Sequence, residues 1–224
     1  MTFVRFQGCR LRCRWCDTLS ALPHTGARCR VESPPGSARF SARPNPVGIE
    51  ALTALIEDFP HRTVAVTGGE PLEQVDFLAA WLPRIAQVYR ILLETDGIRH
   101  QAIARVAPFV HIVSMDIKLP SSTGMRAYWK EHAAFLAAAR QGPAEVYCKM
   151  VITDTTSAEE VMRAARWLRE TAPVCSLVLQ PASPTERFAG TPTAEQLAGH
   201  AEACRALLRD VRVIPQMHKQ WGML

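Results

Sequence analysis

Beyond residue 47 the chain alternates between short β-branched runs and longer helical patterns, and this rhythm leaves few folds open. The runs at 63–67, 88–94, 110–116, 145–152, 176–180 and 211–215 read as strands, with 3–6 as a first one. Between them, apolar residues recur every three to four positions at 72–86, 100–107, 123–140, 157–171 and 193–209, the period of one helix face. In 157–171 the stripe is Val161, Ala164, Ala165 and Leu168, with Ser157 placed to cap and Glu159 and Glu160 in the first turn. A further helix is expected near Val47, with Ile49, Leu52, Ile56 and Phe59 on one face. Strands alternating with helices imply right-handed crossovers and a parallel sheet covered by helices. The expectation is an α/β fold, a partial (β/α) barrel of about seven parallel strands in a single domain over 1–224. That count is too small for the full eight-unit barrel. An open doubly wound sheet is the alternative, and in either case the active site belongs at the C-terminal strand ends. One stretch breaks the rhythm. Residues 23–46 hold Pro23, Pro34, Pro35, Pro44, Pro46, Gly26 and Gly36 without periodicity and read as an irregular loop.

Composition excludes several classes. Hydrophobic residues make up 48% and charged residues 21% of 224, as in globular domains large enough to hold a core without disulfide staples. No apolar run approaches the ~20 residues of a membrane span, and no export signal is legible. A cytoplasmic protein without a membrane partner is expected. The net charge of +5 is unevenly spread: residues 1–46 hold eight Arg against two acidic residues, and the remainder is close to neutral. A basic surplus of this size, spread over a Pro-rich loop, is a weak footprint for nucleic acid, which is not an expected partner. Seven cysteines, an odd number, argue against a disulfide framework. Cys29, Cys148, Cys175 and Cys204 are scattered and read as small apolar residues.

Cys9, Cys13 and Cys16 stand apart. Three thiolates within eight residues, just after a strand, can converge on one metal centre. Structural zinc usually takes four ligands, for which Cys29 would have to serve. Three cysteines suit a 4Fe–4S cluster with one iron left open for a cofactor. Arg10, Arg12 and Arg14 favour thiolates over thiols. Gly8 permits close backbone approach, and Trp15 can shield the site from water.

The Cys-x-x-x-Cys-x-x-Cys spacing after the first strand resembles the signature of the radical S-adenosylmethionine (SAM) superfamily. Thr67-Gly68-Gly69-Glu70-Pro71, closing the next strand, is similar to that superfamily's Gly-Gly-Glu-Pro segment. Physically, the two glycines expose backbone groups and Glu70 can bind an ammonium. The resemblance implies that the methionine end of SAM chelates the open iron and is cleaved reductively to a 5′-deoxyadenosyl radical.

Further segments resemble the 7-carboxy-7-deazaguanine synthase family: Cys16-Asp17-Thr18, Glu94-Thr95-Asp96-Gly97, the run Ser114 to Ser122, Lys149 to Thr153, Leu179-Gln180-Pro181 and the ending Pro215-Gln216-Met217-His218-Lys219. The likeness implies conversion of 6-carboxy-5,6,7,8-tetrahydropterin to 7-carboxy-7-deazaguanine with loss of ammonia, a step of queuosine biosynthesis. It implies a 4Fe–4S cluster on Cys9, Cys13 and Cys16, and Mg²⁺ at Thr18. It also implies SAM contacts at Trp15, Cys16, Asp17, Gly68, Gly69, Glu70, Ser114, Met115, Asp116, Gln180, Pro181, Ala182 and Ser183. Arg5, Thr67, His218 and the terminal Leu224 fall on the pterin side. The implied partners are an external electron donor such as flavodoxin or ferredoxin, and a second copy in a homodimer. Two other readings share features with the chain. One is a SAM-dependent activase of a glycyl radical enzyme. The other is a zinc-binding interaction module using Cys9, Cys13, Cys16 and Cys29.

Overall fold

The computed structural model describes residues 1–216, so His218 and Leu224 lie outside the described residues. Strand β1 (Thr2–Phe6) leads into the cysteine loop. β2 (Arg28–Glu32) and β3 (Phe40–Pro44) follow, and then helix α1 (Ile49–Glu57) and β4 (Thr63–Gly68). Strands and helices then alternate: α2 (Val75–Ile85), β5 (Arg90–Thr95), α3 (His100–Val106), β6 (Ile112–Asp116), α4 (Pro120–Thr123) and α5 (Trp129–Ala139). The series ends with β7 (Glu145–Ile152), α6 (Ala158–Thr171), β8 (Leu177–Pro181), α7 (Ala194–Arg205) and β9 (Val211–Val213).

Seven of these strands form one all-parallel sheet in the order β1-β4-β5-β6-β7-β8-β9. The order never reverses. With right-handed crossovers, such a sheet carries its helices on one face and curls toward the other, whereas a doubly wound sheet must reverse. β1 and β9 are the two edges and do not pair, so the expected partial barrel is open.

Period-two alternation separates the faces. Val64, Val66, Ile91, Leu93, Val113, Met115, Cys148, Met150, Leu177 and Leu179 are buried against the helix layer in one core that includes Trp81 and Phe135. On α6 the stripe Val161, Ala164, Ala165 and Leu168 is fully buried, and Ser157 accepts from the Glu160 amide as expected of its cap. Each Leu or Val so covered contributes roughly 1.5–3 kcal/mol.

Three expectations need correction. The segment 23–46 is not irregular throughout, because β2 and β3 pair antiparallel as a ribbon separate from the main sheet. Its alternation is invisible in sequence because both faces are largely exposed and no apolar stripe is needed. The helix expected at 123–140 is two helices. Gly124, in the left-handed conformation at φ +74°, ends α4, and five residues pass before α5. The last helix stops at Arg205 rather than 209, and a turn of 206–208 carries Leu208 into the core.

Candidate active site

The uncovered face of the sheet is polar. Arg5 pairs with Thr67 in register, and the Thr67 hydroxyl donates to Glu94 Oε2 at 2.7 Å. Glu94 pairs with Ser114, and Ser114 with Tyr147, so one row of polar side chains crosses five strands. One layer higher, Asp116 pairs with Lys149. Glu94, Tyr147, Lys149, Ser176, Gln180 and Arg212 surround a cavity of ≈170 Å³ on this face.

Asp116 is paired with two ammonium groups. Lys118 Nζ lies 2.6 Å from its Oδ2 and Lys149 Nζ 3.2 Å from its Oδ1. Burial by itself would raise this carboxyl; the two ammonium groups outweigh it and hold it below the usual carboxylate range. Lys118 also sits 4.8 Å from the centre of the Trp15 ring, whose Nε1 donates to Ser122 Oγ at 2.9 Å.

The cysteine loop closes over the strand ends and is fastened on three sides. On the first, the Gly8 amide donates to Ala21 O, the Cys9 amide to Leu22 O and the Glu70 amide to Gly8 O. A Cβ at Gly68 would lie 2.2 Å from Phe6 O, and one at Gly69 2.3 Å from Gly8 O. The two glycines are therefore what lets β4 end against the loop. On the second side, Arg14 N donates to Thr123 O, and the Arg14 guanidinium reaches Ser121 O at 2.6 Å. A Cβ at Gly124 would lie 2.9 Å from Arg14 Cδ, so the glycine leaves room for this contact. On the third, Glu73 gathers the Arg10 amide, His24 and Arg99.

Cys9 is buried, whereas Cys13 and Cys16 are half-buried with the Cys16 amide turned back onto Cys13 O. Among the described residues no three His, Cys, Asp or Glu side chains close on one ion. Cys29 lies apart in β2, with its Sγ toward Pro44 O. This does not suit four-thiolate zinc, which draws its sulfurs to ~2.3 Å from one centre. A cuboidal cluster sets each sulfur on a different iron, and three free thiols on one loop fit that donor set.

Residues 3–181 match the radical SAM superfamily. A 7-carboxy-7-deazaguanine synthase of Geobacter sulfurreducens is 36% identical over 99% of this chain and 89% of its own length. One of Thermococcus kodakarensis is 32% identical over 99% and 88%. The chain belongs to the 7-carboxy-7-deazaguanine synthase family of radical SAM proteins. In fold, this family member is similar to native anSMEcpe with bound AdoMet, at TM-score 0.63 and 13% identity, covering 97% of this chain and 64% of that one. TYW1 with a lysine-pyruvate adduct bound gives TM-score 0.59 at 12% identity, over 92% and 72%. Radical SAM proteins employ a 4Fe–4S cluster and SAM, with an electron donor and, in this family, a small-molecule substrate.

The other positions singled out in the sequence fall as follows. Ser114 is buried on the polar face, where its hydroxyl interacts with the Tyr147 side chain opposite it. Met115 points the opposite way, into the core. Glu70 is fully buried, and its carboxylate accepts from Leu72 N, Thr95 Oγ1 and Asp96 N. Burial, then the nearby Asp96, raise it well above its ordinary value. Its side chain thus joins the ends of β4 and β5. Thr18 donates to Asp17 Oδ1 at 3.0 Å. Asp17 Oδ2 accepts from Gln216 Nε2, and Gln216 Oε1 accepts from Ser183 N, so Gln216 ties the cysteine loop to the end of β8. Pro181 ends β8, and Ala182 N donates to Ile152 O.

Sequence reasoning did not single out Glu94, Tyr147, Lys118, Lys149 and the buried His132 as site residues. A signal existed for two of them. Glu94 in Ile-Leu-Leu-Glu-Thr and Lys149 in Tyr-Cys-Lys-Met each occupy the alternate position of an apolar strand, which marks a polar second face.

Proposed function

We propose that this chain converts 6-carboxy-5,6,7,8-tetrahydropterin to 7-carboxy-7-deazaguanine with loss of ammonia. The observation that carries the reading is similarity to synthases along 99% of the chain, joined to a cysteine loop fastened over a polar sheet face. The cluster and SAM, when bound, supply a reductively generated radical that takes hydrogen from the substrate.

Cys9, Cys13 and Cys16 hold the cluster. The backbone of Gly68, Gly69 and Glu70, the Ser114 hydroxyl, the ionised Asp116 and the stretch Gln180 to Ser183 line the SAM side, with Trp15, Cys16 and Asp17 above. Met115 contributes through backbone, because its side chain faces the core. Trp15, held by Ser122 and Lys118, keeps water from the radical. Arg5 and Thr67 share one register position, where a guanidinium is suited to the pterin carboxylate. His218 and Leu224 join them on family likeness alone. Thr18 donates a hydrogen bond to Asp17, which leaves its oxygen lone pairs to hold Mg²⁺; substrate and water would supply the other ligands.

The chain acts as one domain and as a homodimer. Seven free thiols and an oxygen-sensitive cluster suit the cytoplasm. Among the described residues no helix is long and apolar enough to cross a membrane. The test is anaerobic reconstitution with iron, sulfide, SAM, a reductant and the carboxy-tetrahydropterin, followed by mass spectrometry of the product. SAM cleavage without deazaguanine would overturn the substrate and keep the superfamily chemistry.

A further inference from the structure

The ribbon of β2 and β3 has no evident structural use. It makes its own antiparallel pairing, joins no other strand among the described residues and leaves most of its side chains exposed. A two-stranded ribbon is marginally stable in water without something to pack against. Its side chains are also unusual. Arg28, Arg30, Arg39 and Arg43 are all exposed, and none forms an ion pair with a described residue. Arg28 and Arg30 share one face. On it the Arg30 guanidinium lies 4.6 Å from the ring centre of Phe40, itself 41% exposed. Exposed arginine stacked on an exposed aromatic is a combination enriched where proteins dock. Residues 27–44 hold these four Arg and one acidic residue, Glu32, which accepts from the Ala38 amide, so the ribbon carries a surplus of +3 in a chain otherwise near neutral.

The mounting of the ribbon says what the patch serves. At its root, Asn45 Nδ2 donates to Gly26 O and to Gln7 Oε1, and Gln7 lies two residues ahead of Cys9. His24 is held by Glu73, which also takes the Arg10 amide. The ribbon is thereby fixed to the loop that carries the cysteines.

We infer that the β2–β3 ribbon is the docking surface for an acidic one-electron carrier protein that reduces the cluster. The inference rests on the radical SAM reading, which requires such an electron. The carrier loses one electron, the cluster gains it, and no proton or bond enters the balance. Complementary charge would steer the encounter and set the carrier beside the cysteine loop. A nucleic acid fits less well, because Arg28 and Arg30 lie on one face of the short ribbon and Arg43 on the other, with Phe40 the one aromatic of the ribbon to stack a base.

The test uses the reconstituted holoenzyme and an acidic flavodoxin as probe. Binding is measured by calorimetry at 50 and 300 mM salt for the wild type, for Arg28→Glu/Arg30→Glu/Arg43→Glu, and for the same three positions as Lys. A second variant replaces 27–44 by a short Gly-Ser bridge, in case charge reversal disturbs the ribbon. The expected result is at least tenfold weaker flavodoxin binding in the Glu and bridged variants. The Lys variant should stay within about threefold of wild type, and wild-type affinity should fall with salt. SAM cleavage driven by dithionite, which needs no docking, should stay within twofold in every variant. Flavodoxin affinity unchanged in the bridged variant would overturn the proposal, as would a change of oligomeric state in place of it, or loss of binding to an RNA oligonucleotide instead. Failure of dithionite-driven cleavage in the wild type would instead overturn the radical SAM reading beneath it.

Discussion

Removing His132 should weaken the fold and change how stability responds to pH. The ring is fully buried on α5 and bridges two strand ends, with Nδ1 donating to Gly97 O at 2.8 Å and Nε2 accepting from Lys118 N at 3.0 Å. An amide can only donate, so Nε2 carries no proton and the neutral Nδ1–H tautomer is fixed. Burial pushes the imidazole down to about 4. In the unfolded chain it titrates near 6.5. Between those values the unfolded chain binds a proton that the folded one refuses, so stability falls as pH falls through that window. From pH 7 to pH 5 the loss amounts to about 2 kcal/mol. Asp96, raised to about 6 by burial, works in the opposite sense, and its stabilisation is lost as pH rises through that value. It is present in both proteins and subtracts out of a comparison.

His132→Ala leaves a buried carbonyl and a buried amide unpaired, at about 1–3 kcal/mol each, together with a cavity, for about 3–5 kcal/mol at pH 7. His132→Asn retains one donor near Nδ1 and should fall between. Urea unfolding of the reduced protein under anaerobic conditions, at pH 7 and pH 5, measures both effects. The wild-type advantage over Ala should shrink by about 2 kcal/mol at pH 5. SAM affinity of the Ala variant should also fall, because the turns after β5 and β6 lose their common tether. A loss below about 1 kcal/mol at pH 7, or an advantage that does not narrow at pH 5, would refute the reasoning.

Three further outcomes are expected. Cys13→Ala should abolish iron binding and SAM cleavage while Cys29→Ala leaves both intact; iron loss in the Cys29 variant would bring back a four-cysteine site. Gly69→Ala would set a methyl 2.3 Å from Gly8 O and 2.6 Å from Ala21 O. It should lower stability by about 2–4 kcal/mol and cluster content by more than half, which melting and iron analysis would check. Thr18→Ala should raise the Mg²⁺ concentration for half-maximal turnover at least tenfold with substrate-free SAM cleavage intact, and a magnesium response like the wild type's would remove Thr18 from the site.

The strand and helix order was legible because each βα unit must bury one face, and burial writes its period into the sequence. The seven main-sheet strands and α6 show it most plainly. The ribbon buries almost nothing and left no pattern. The division of α4 from α5 was hidden because Gly124 stands among residues compatible with helix, and its role depends on Arg14, far away in sequence. The cysteine loop was legible as chemistry, because the spacing of its ligands is local. Its fastenings were not, since Glu73, Ser122 and Thr123 meet it only across the folded chain.

Glu70 has a structural role that residue type alone does not announce. A carboxylate beside two glycines at a strand end looks like a ligand for an ammonium, and its composition gives no other hint. In the folded chain three donors from β4's exit and β5's exit also hold it, two at Oε1 and one at Oε2. A buried carboxylate without them would cost several kcal/mol, so the neighbouring Thr95 and Asp96 are fixed by Glu70 as much as it by them. The same logic governs Glu73 and Gln74, which hold the cysteine loop from below through Arg10 N and Gln7 O. The acidic groups following the glycines therefore hold the strand ends and the cysteine loop together. A site built this way loses its shape when one strand end is released, which is why the tether at His132, remote from the cysteines in sequence, should be felt in SAM binding.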